Sequence, residues 1–188
     1  MKGRRVVVTG LGMVSPVGND ITGSWEALQN GKNGINPLTH FDVSSFSTRF
    51  GGSIKDFDCS PYLEPKEARR MDIFIQYGIA AGVQAFEDSG LLDSQWKDIR
   101  AGVAIGSGIG GITTIEETAI QIRESGPRKV SPFFVPGSII NMIAGNLSIR
   151  FGLRGPNISV TTACPTGTHN IRLSSNMIAK NKTGTMLV

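Results

Sequence analysis

Hydrophobic positions along the chain alternate between two spacings. Residues 4–9 and 101–105 are short apolar runs, each leading into a glycine turn, and both read as strands, the first of them buried. A third strand is expected over 157–163, and Thr185-Met186-Leu187-Val188 opens a fourth. Between them the spacing turns helical. Ile21, Trp25 and Leu28 recur every three or four residues within 20–30, before Gly31. Residues 70–89 form the longest such pattern, apolar nearly all round and stopped by Gly90; a helix of that kind is buried in a large core or an interface. Further helices are expected over 114–124, from a Ser138 cap to about Arg150, and over 167–180. Residues 32–65 read as a loop excursion, and 131–136 as an extended loop. Strands alternating with helices indicate a layered α/β fold with a largely parallel sheet.

Composition narrows the class. With 39% hydrophobic and 18% charged residues among 188, the chain is too apolar for intrinsic disorder, and its length suits one domain. No apolar stretch reaches the ~20 residues of a membrane span. Three valines after Arg5 are too short for a signal-peptide core, so the expected compartment is the cytoplasm. Glycine, 24 of 188, is nearly double the ordinary share of about 7%, which points to tight turns and close backbone contacts. Charge is uneven. Twelve basic residues face fifteen acidic ones before Ser125, whereas the remainder carries seven basic residues and no acid. Either an anionic partner or compensating acids beyond Val188 would account for this.

Several motifs bear on chemistry. Gly10-x-Gly12 follows a strand, as a dinucleotide-binding fingerprint does, but Ser15 stands where the third glycine belongs and Pro16 where the helix should start. The run Gly106-Ser107-Gly108-Ile109-Gly110-Gly111 lacks the Lys-Ser/Thr ending of a P-loop. Both read as turns where backbone packs closely. Cys164 is sharper: it stands at a strand-to-helix turn of small residues, Thr162-Ala163-Cys164-Pro165-Thr166-Gly167, the arrangement of a nucleophile elbow. Helix N-termini favour the thiolate form of cysteine, which attacks thioesters and carbonyls. A buried structural cysteine is the other reading. Cys59, in the loop excursion, has no such setting. His169 lies five residues on, about 140° round a helix, and is expected to point away; nothing places His40. No metal or cofactor is expected, for want of clustered ligands. Lys66, Arg69 and Arg70 open the long helix, and Arg128-Lys129 precede Phe133-Phe134. Each set is either a solvated face or a docking patch. No aromatic-interleaved basic stripe suggests nucleic acid.

Six blocks in order resemble the N-terminal half of a β-ketoacyl-acyl-carrier-protein synthase, a type II condensing enzyme of the thiolase-like superfamily. They are residues 4–19, Met71-Asp72-x-Phe74-Ile75-Gln76-Tyr77, Gly106 to Gly111, Ser131 to Pro136, Gly152-Leu153-Arg154-Gly155-Pro156 and Thr162-Ala163-Cys164. The resemblance implies a thiolase-like layered fold with a mixed, largely parallel sheet, half of a homodimeric enzyme's chain. It implies that residues 1–188 are a truncated synthase N-terminal domain, with the match weakening after about residue 171. It makes Cys164 the nucleophile that takes an acyl group from acyl carrier protein, with its own backbone N–H as one oxyanion donor. Ile109 and Phe134 would line the acyl pocket, and Lys66, Arg69, Arg70, Arg128 and Lys129 would dock the acidic carrier protein. The substrates implied are acyl and malonyl thioesters, without cofactor or metal.

Three departures qualify the resemblance. The family's two histidines and lysine for malonyl decarboxylation belong to a second half, and neither His40 nor His169 matches them. Pro165-Thr166 follows the cysteine where small residues are usual, which removes one N–H. Arg172 replaces a glycine of the following helix, and Asn181-Lys182-Thr183-Gly184 an acidic turn. The alternative these leave open is a non-catalytic remnant or a carrier-protein or partner-binding module.

Overall fold

The computed structural model describes residues 4–91 and 100–188. Helix α1 (Ile21–Gln29) starts where the Asp20 carboxylate accepts the Gly23 N–H at 2.7 Å. The excursion that follows contains one antiparallel pair, β1 (Asn36–Pro37) with β2 (Phe50–Gly51), and leads into the short α2 (Pro65–Ala68).

Helix α3 (Ile73–Asp88) is the long apolar helix read from the sequence. Between the exposed Ile73 and Glu87 none of its residues is fully exposed, which accounts for its missing polar face. Asp72, itself buried, begins it: one carboxylate oxygen accepts the Phe74 N–H at 3.3 Å and the other the Thr114 N–H at 2.9 Å. Ile75, Ile79 and Val83 pack with Leu63, Ile143 and Leu147 in one core cluster. A second joins Phe86, Val103, Ala144 and Leu153, capped by Phe86 stacked on Phe151 with ring centroids 3.9 Å apart.

Strand β3 (Ala101–Ala104) is wholly buried at the centre of a parallel sheet. β4 (Asn157–Ile158) lies on one side, with Val103 opposite Asn157, and β5 (Thr185–Leu187) on the other, with Ala101 opposite Thr185. Helices α4 (Ile112–Ser125), α5 (Phe134–Ser138), α6 (Met142–Phe151) and α7 (Thr166–Ala179) complete the alternation. No helix among the described residues is long and apolar enough to cross a membrane.

Three expectations are corrected. The strand expected over 4–9 pairs with nothing among the described residues, and Val7 and Val8 are 65% and 75% exposed. The chain just beyond it docks on α3 instead. Leu11 N–H donates to Asp88 Oδ2 at 2.8 Å and Met13 N–H to Gln84 Oε1 at 3.0 Å. Gly10 and Gly12 lie so close to α3 that a Cβ on either would collide with the carbonyls of Ala85 and Ala81, the close packing read from the motif. The strand expected over 157–163 keeps a ladder for only two residues, because side chains of α7 bind the backbone beyond Ile158. Finally, Ser138 does not cap the helix that follows it. Part of the supposed extended loop winds into α5, which Ser138 ends by donating to Phe134 O at 2.7 Å, and α6 begins only at Met142.

Candidate active site

Residues 159–166 turn the chain sharply from β4 into α7, and side chains fix the turn. Asn170, 1% exposed, accepts the Val160 N–H at 3.2 Å and donates to the carbonyls of Val160 and Thr166, each at 2.9 Å. It thereby satisfies on Val160 the groups that a neighbouring strand would have paired. Thr166 hydroxyl donates to Ala163 O at 2.7 Å and accepts the Thr162 N–H at 2.9 Å. The Ser159 hydroxyl donates to Ile105 O, joining the turn to the end of β3.

Cys164 stands exposed at the head of this turn, two residues before α7. The residue before it, Ala163, has φ 56°, a left-handed conformation unusual for a side chain larger than hydrogen. Pro165, with φ −82° and ψ 11°, already has near-helical geometry, so the proline fits the entry to the helix. Among the described residues the Cys164 N–H donates to no protein group, which leaves it for an incoming oxygen. In such an arrangement an exposed thiol can attack a carbonyl, while the unspent amide and the N-terminus of a fourteen-residue helix can stabilise the oxyanion that develops.

The glycine-rich loop after β3 packs against the elbow. A Cβ on Gly106 would collide with Val160 O, and one on Gly108 would lie 3.7 Å from Ala163 Cα. Ile109 follows, 69% exposed. At its far end the loop reaches α5, where Gly111 N–H donates to Ser138 O at 2.9 Å. One loop thus runs from the turn that presents Cys164 to the short helix that carries the half-buried Phe134.

Of the basic residues, Lys66, Arg69, Arg70, Arg128 and Lys129 are all exposed. Arg69 and Arg70 share a cavity of about 500 Å³ with Phe133, Phe134 and Glu117. The Arg70 guanidinium lies 4.2 Å over the Phe133 ring, a cation–π contact, and Asp72 N–H donates to Gly137 O at 3.0 Å alongside it. Arg128 and Lys129 sit in the 3-10 turn Pro127–Lys129 that leads to Phe133. The two sequence-separated sets therefore flank one aromatic loop.

The remaining candidates lie apart. His40 packs edge-on against Phe41 in the excursion. Cys59 is partly buried against the α3 core cluster. Neighbouring Asp58 is held below the usual carboxylate range by the Ser60 hydroxyl and N–H, a closed turn of its own. His169 forms no pair with Cys164 among the described residues; its Nδ1 lies 2.7 Å from Thr162 Oγ1, where the chain before Cys164 runs beside the first turn of α7. The sequence reading missed Thr162, Thr166 and Asn170; the four-residue spacing of polar groups, 162, 166 and 170, was the available signal.

The architecture is that of the thiolase-like ketosynthases. A β-ketoacyl synthase from Burkholderia phymatum matches with TM-score 0.80 and 26% identity over 97% of this chain and 45% of its own. A type II polyketide ketosynthase, solved in complex with its acyl-carrier protein, matches with TM-score 0.77 and 26% identity over 97% of this chain and 49% of its own. The family described as "Beta-ketoacyl synthase, N-terminal domain" matches residues 3–188, and the chain belongs to it. Relatives named 3-oxoacyl-[acyl-carrier-protein] synthase 2 include that of Vibrio harveyi, 61% identical over 95% of this chain, and that of Coxiella burnetii, 50% identical over 100%. The chain spans 43% and 45% of their lengths.

Proposed function

We propose that this chain carries the acyl-accepting half of a 3-oxoacyl-acyl-carrier-protein synthase of fatty-acid synthesis. The observation that supports this most is Cys164, exposed at the head of α7 with its own N–H unspent. The thiolate attacks the thioester carbonyl of an acyl carrier protein, forming a new carbon–sulfur bond. The resulting oxyanion lies against the Cys164 amide. Collapse breaks the bond to the carrier's sulfur, which leaves as a thiolate, and the acyl group stays on Cys164.

In the whole protein this step precedes decarboxylation of a malonyl thioester and attack of its carbanion on the acyl-enzyme. The residues for that reaction belong to the part of the family's chain that lies outside these 188 residues. Ile109 and Phe134 border the acyl group, and Lys66, Arg69, Arg70, Arg128 and Lys129 receive the acidic carrier protein. The protein works in the cytoplasm and, in the full-length family, as a homodimer.

The test is intact-mass analysis after incubation with acyl carrier protein. One acyl group should be added, be released by hydroxylamine and be absent in Cys164→Ala. A folded sample that gains no mass overturns the acyl-accepting reading and leaves a carrier-binding module.

A further inference from the structure

The bond between Thr162 and His169 belongs to none of the chemistry described above, yet it joins the two segments that flank Cys164. Thr162 lies two residues before Cys164 and His169 five after it, in the first turn of α7. Their side chains meet at 2.7 Å. Together with the bonds that Thr166 makes to Thr162 and Ala163, this ties both arms of the elbow on either side of the cysteine.

What the ties hold is a costly conformation. Ala163 is one of only three non-glycine residues with positive φ among the described residues, and a left-handed alanine persists only where its surroundings over-determine it. Glycine would adopt that geometry freely. Pro165 fixes the other flank through its ring. The joint that remains free to relax is Ala163 itself, and relaxing it would swing the Cys164 thiol and amide away from the axis of α7. Of the ties, those through Thr166 are internal to the turn, since that residue is buried. Asn170, one residue beyond His169 in α7, is a buried tie to Val160, whereas the tie through His169 is exposed and reaches the residue next to Ala163.

We propose that His169 is a positioning residue for Cys164: its Nδ1, bonded to Thr162 Oγ1, clasps the elbow and holds Ala163 in its left-handed conformation. The proton sits on either partner of this bond, the Thr162 hydroxyl donating to a bare Nδ1 or an Nδ1–H donating to the oxygen. The role in acyl transfer rests on the reading of Cys164 as an acyl acceptor; the clasp itself does not.

Two readouts separate these. The Ala163 amide-to-α-proton coupling reports its φ by NMR without any substrate. The maximal rate and the half-saturating carrier-protein concentration report acyl transfer. His169→Ala is expected to shift the Ala163 coupling and to lower the maximal rate about tenfold, with the half-saturating concentration unchanged. His169→Asn places an amide where Nδ1 stood and should preserve both. Adding Ala163→Gly to His169→Ala should recover the rate, because glycine needs no clasp to hold positive φ. Unchanged coupling in His169→Ala, or a His169→Asn protein as impaired as His169→Ala, overturns the proposal. A coupling that follows the clasp in a protein that transfers no acyl group supports the clasp and overturns the acyl-acceptor reading instead.

Discussion

The carbonyl oxygen of Val160 occupies the space that a side chain on Gly106 would need. The loop after β3 and the start of the elbow therefore pack backbone to backbone, with the Asn170 amide that holds Val160 also 3.2 Å from that added carbon. Gly106→Ala should push the two segments apart, at a cost of about 1–3 kcal/mol. Denaturant unfolding measures this, and a stability within ~0.5 kcal/mol of the parent contradicts the contact.

Asn170 replaces a strand's hydrogen bonds with a side chain's. Asn170→Ala leaves the half-buried Val160 N–H and C=O without protein partners and should destabilise by about 1–3 kcal/mol. Asn170→Asp sets a carboxylate oxygen against the carbonyls of Val160 and Thr166 at a 1% exposed position and should destabilise at least as much. Thermal and denaturant melts of the two variants give the order; equal stability of all three proteins would contradict it.

These two contacts also show where the sequence was legible. Helix α3 could be read because its signal is local: apolar residues from Ile73 to Phe86 with Gly90 after them. Cys164 could be read because small residues and a proline mark a turn before a helix. The length of the third strand could not be read. Asn157 to Ala163 has strand propensity throughout, yet Asn170 and Thr166 take the backbone from Val160 onward. That competition depends on how α7 folds back, which no window of seven residues contains. The same holds for Val6, Val7 and Val8, which have strand propensity but no strand partner among the described residues. The His169–Thr162 bond could not be read either, because helical angle alone ignores the chain that returns beside the helix.

The Arg70–Phe133 contact and the flanking Arg128–Lys129 turn place positive charge around one aromatic loop. Binding of an acidic carrier protein there should weaken as salt is raised, since screening acts on exposed charges. Arg128→Glu and Arg70→Glu should each weaken it further, by about tenfold or more. Titration by fluorescence anisotropy at two salt concentrations is sufficient. Salt-independent affinity would contradict electrostatic docking.

Burial raises the Tyr77 phenol above its ordinary range, where it also meets Phe57 edge-on at 4.8 Å. Between the ordinary value of about 10 and the higher folded one, the unfolded chain has lost this proton while the folded chain keeps it. The stabilisation is thus complete below about pH 10 and lost as pH rises further. Stability measured from pH 8 to 11 should fall less steeply in Tyr77→Phe than in the parent. Identical profiles would contradict the assignment.

The central claim is that this chain accepts acyl groups at the elbow and not at its other thiol. The most direct measurement is where an acyl group lands after incubation with acyl carrier protein, read by peptide mapping after trypsin. Cleavage at Arg154 and Arg172 isolates Cys164, and cleavage at Lys55 and Lys66 isolates Cys59. The account predicts the acyl mass on the Cys164 peptide alone. Acyl mass on the Cys59 peptide, or on neither, would contradict it.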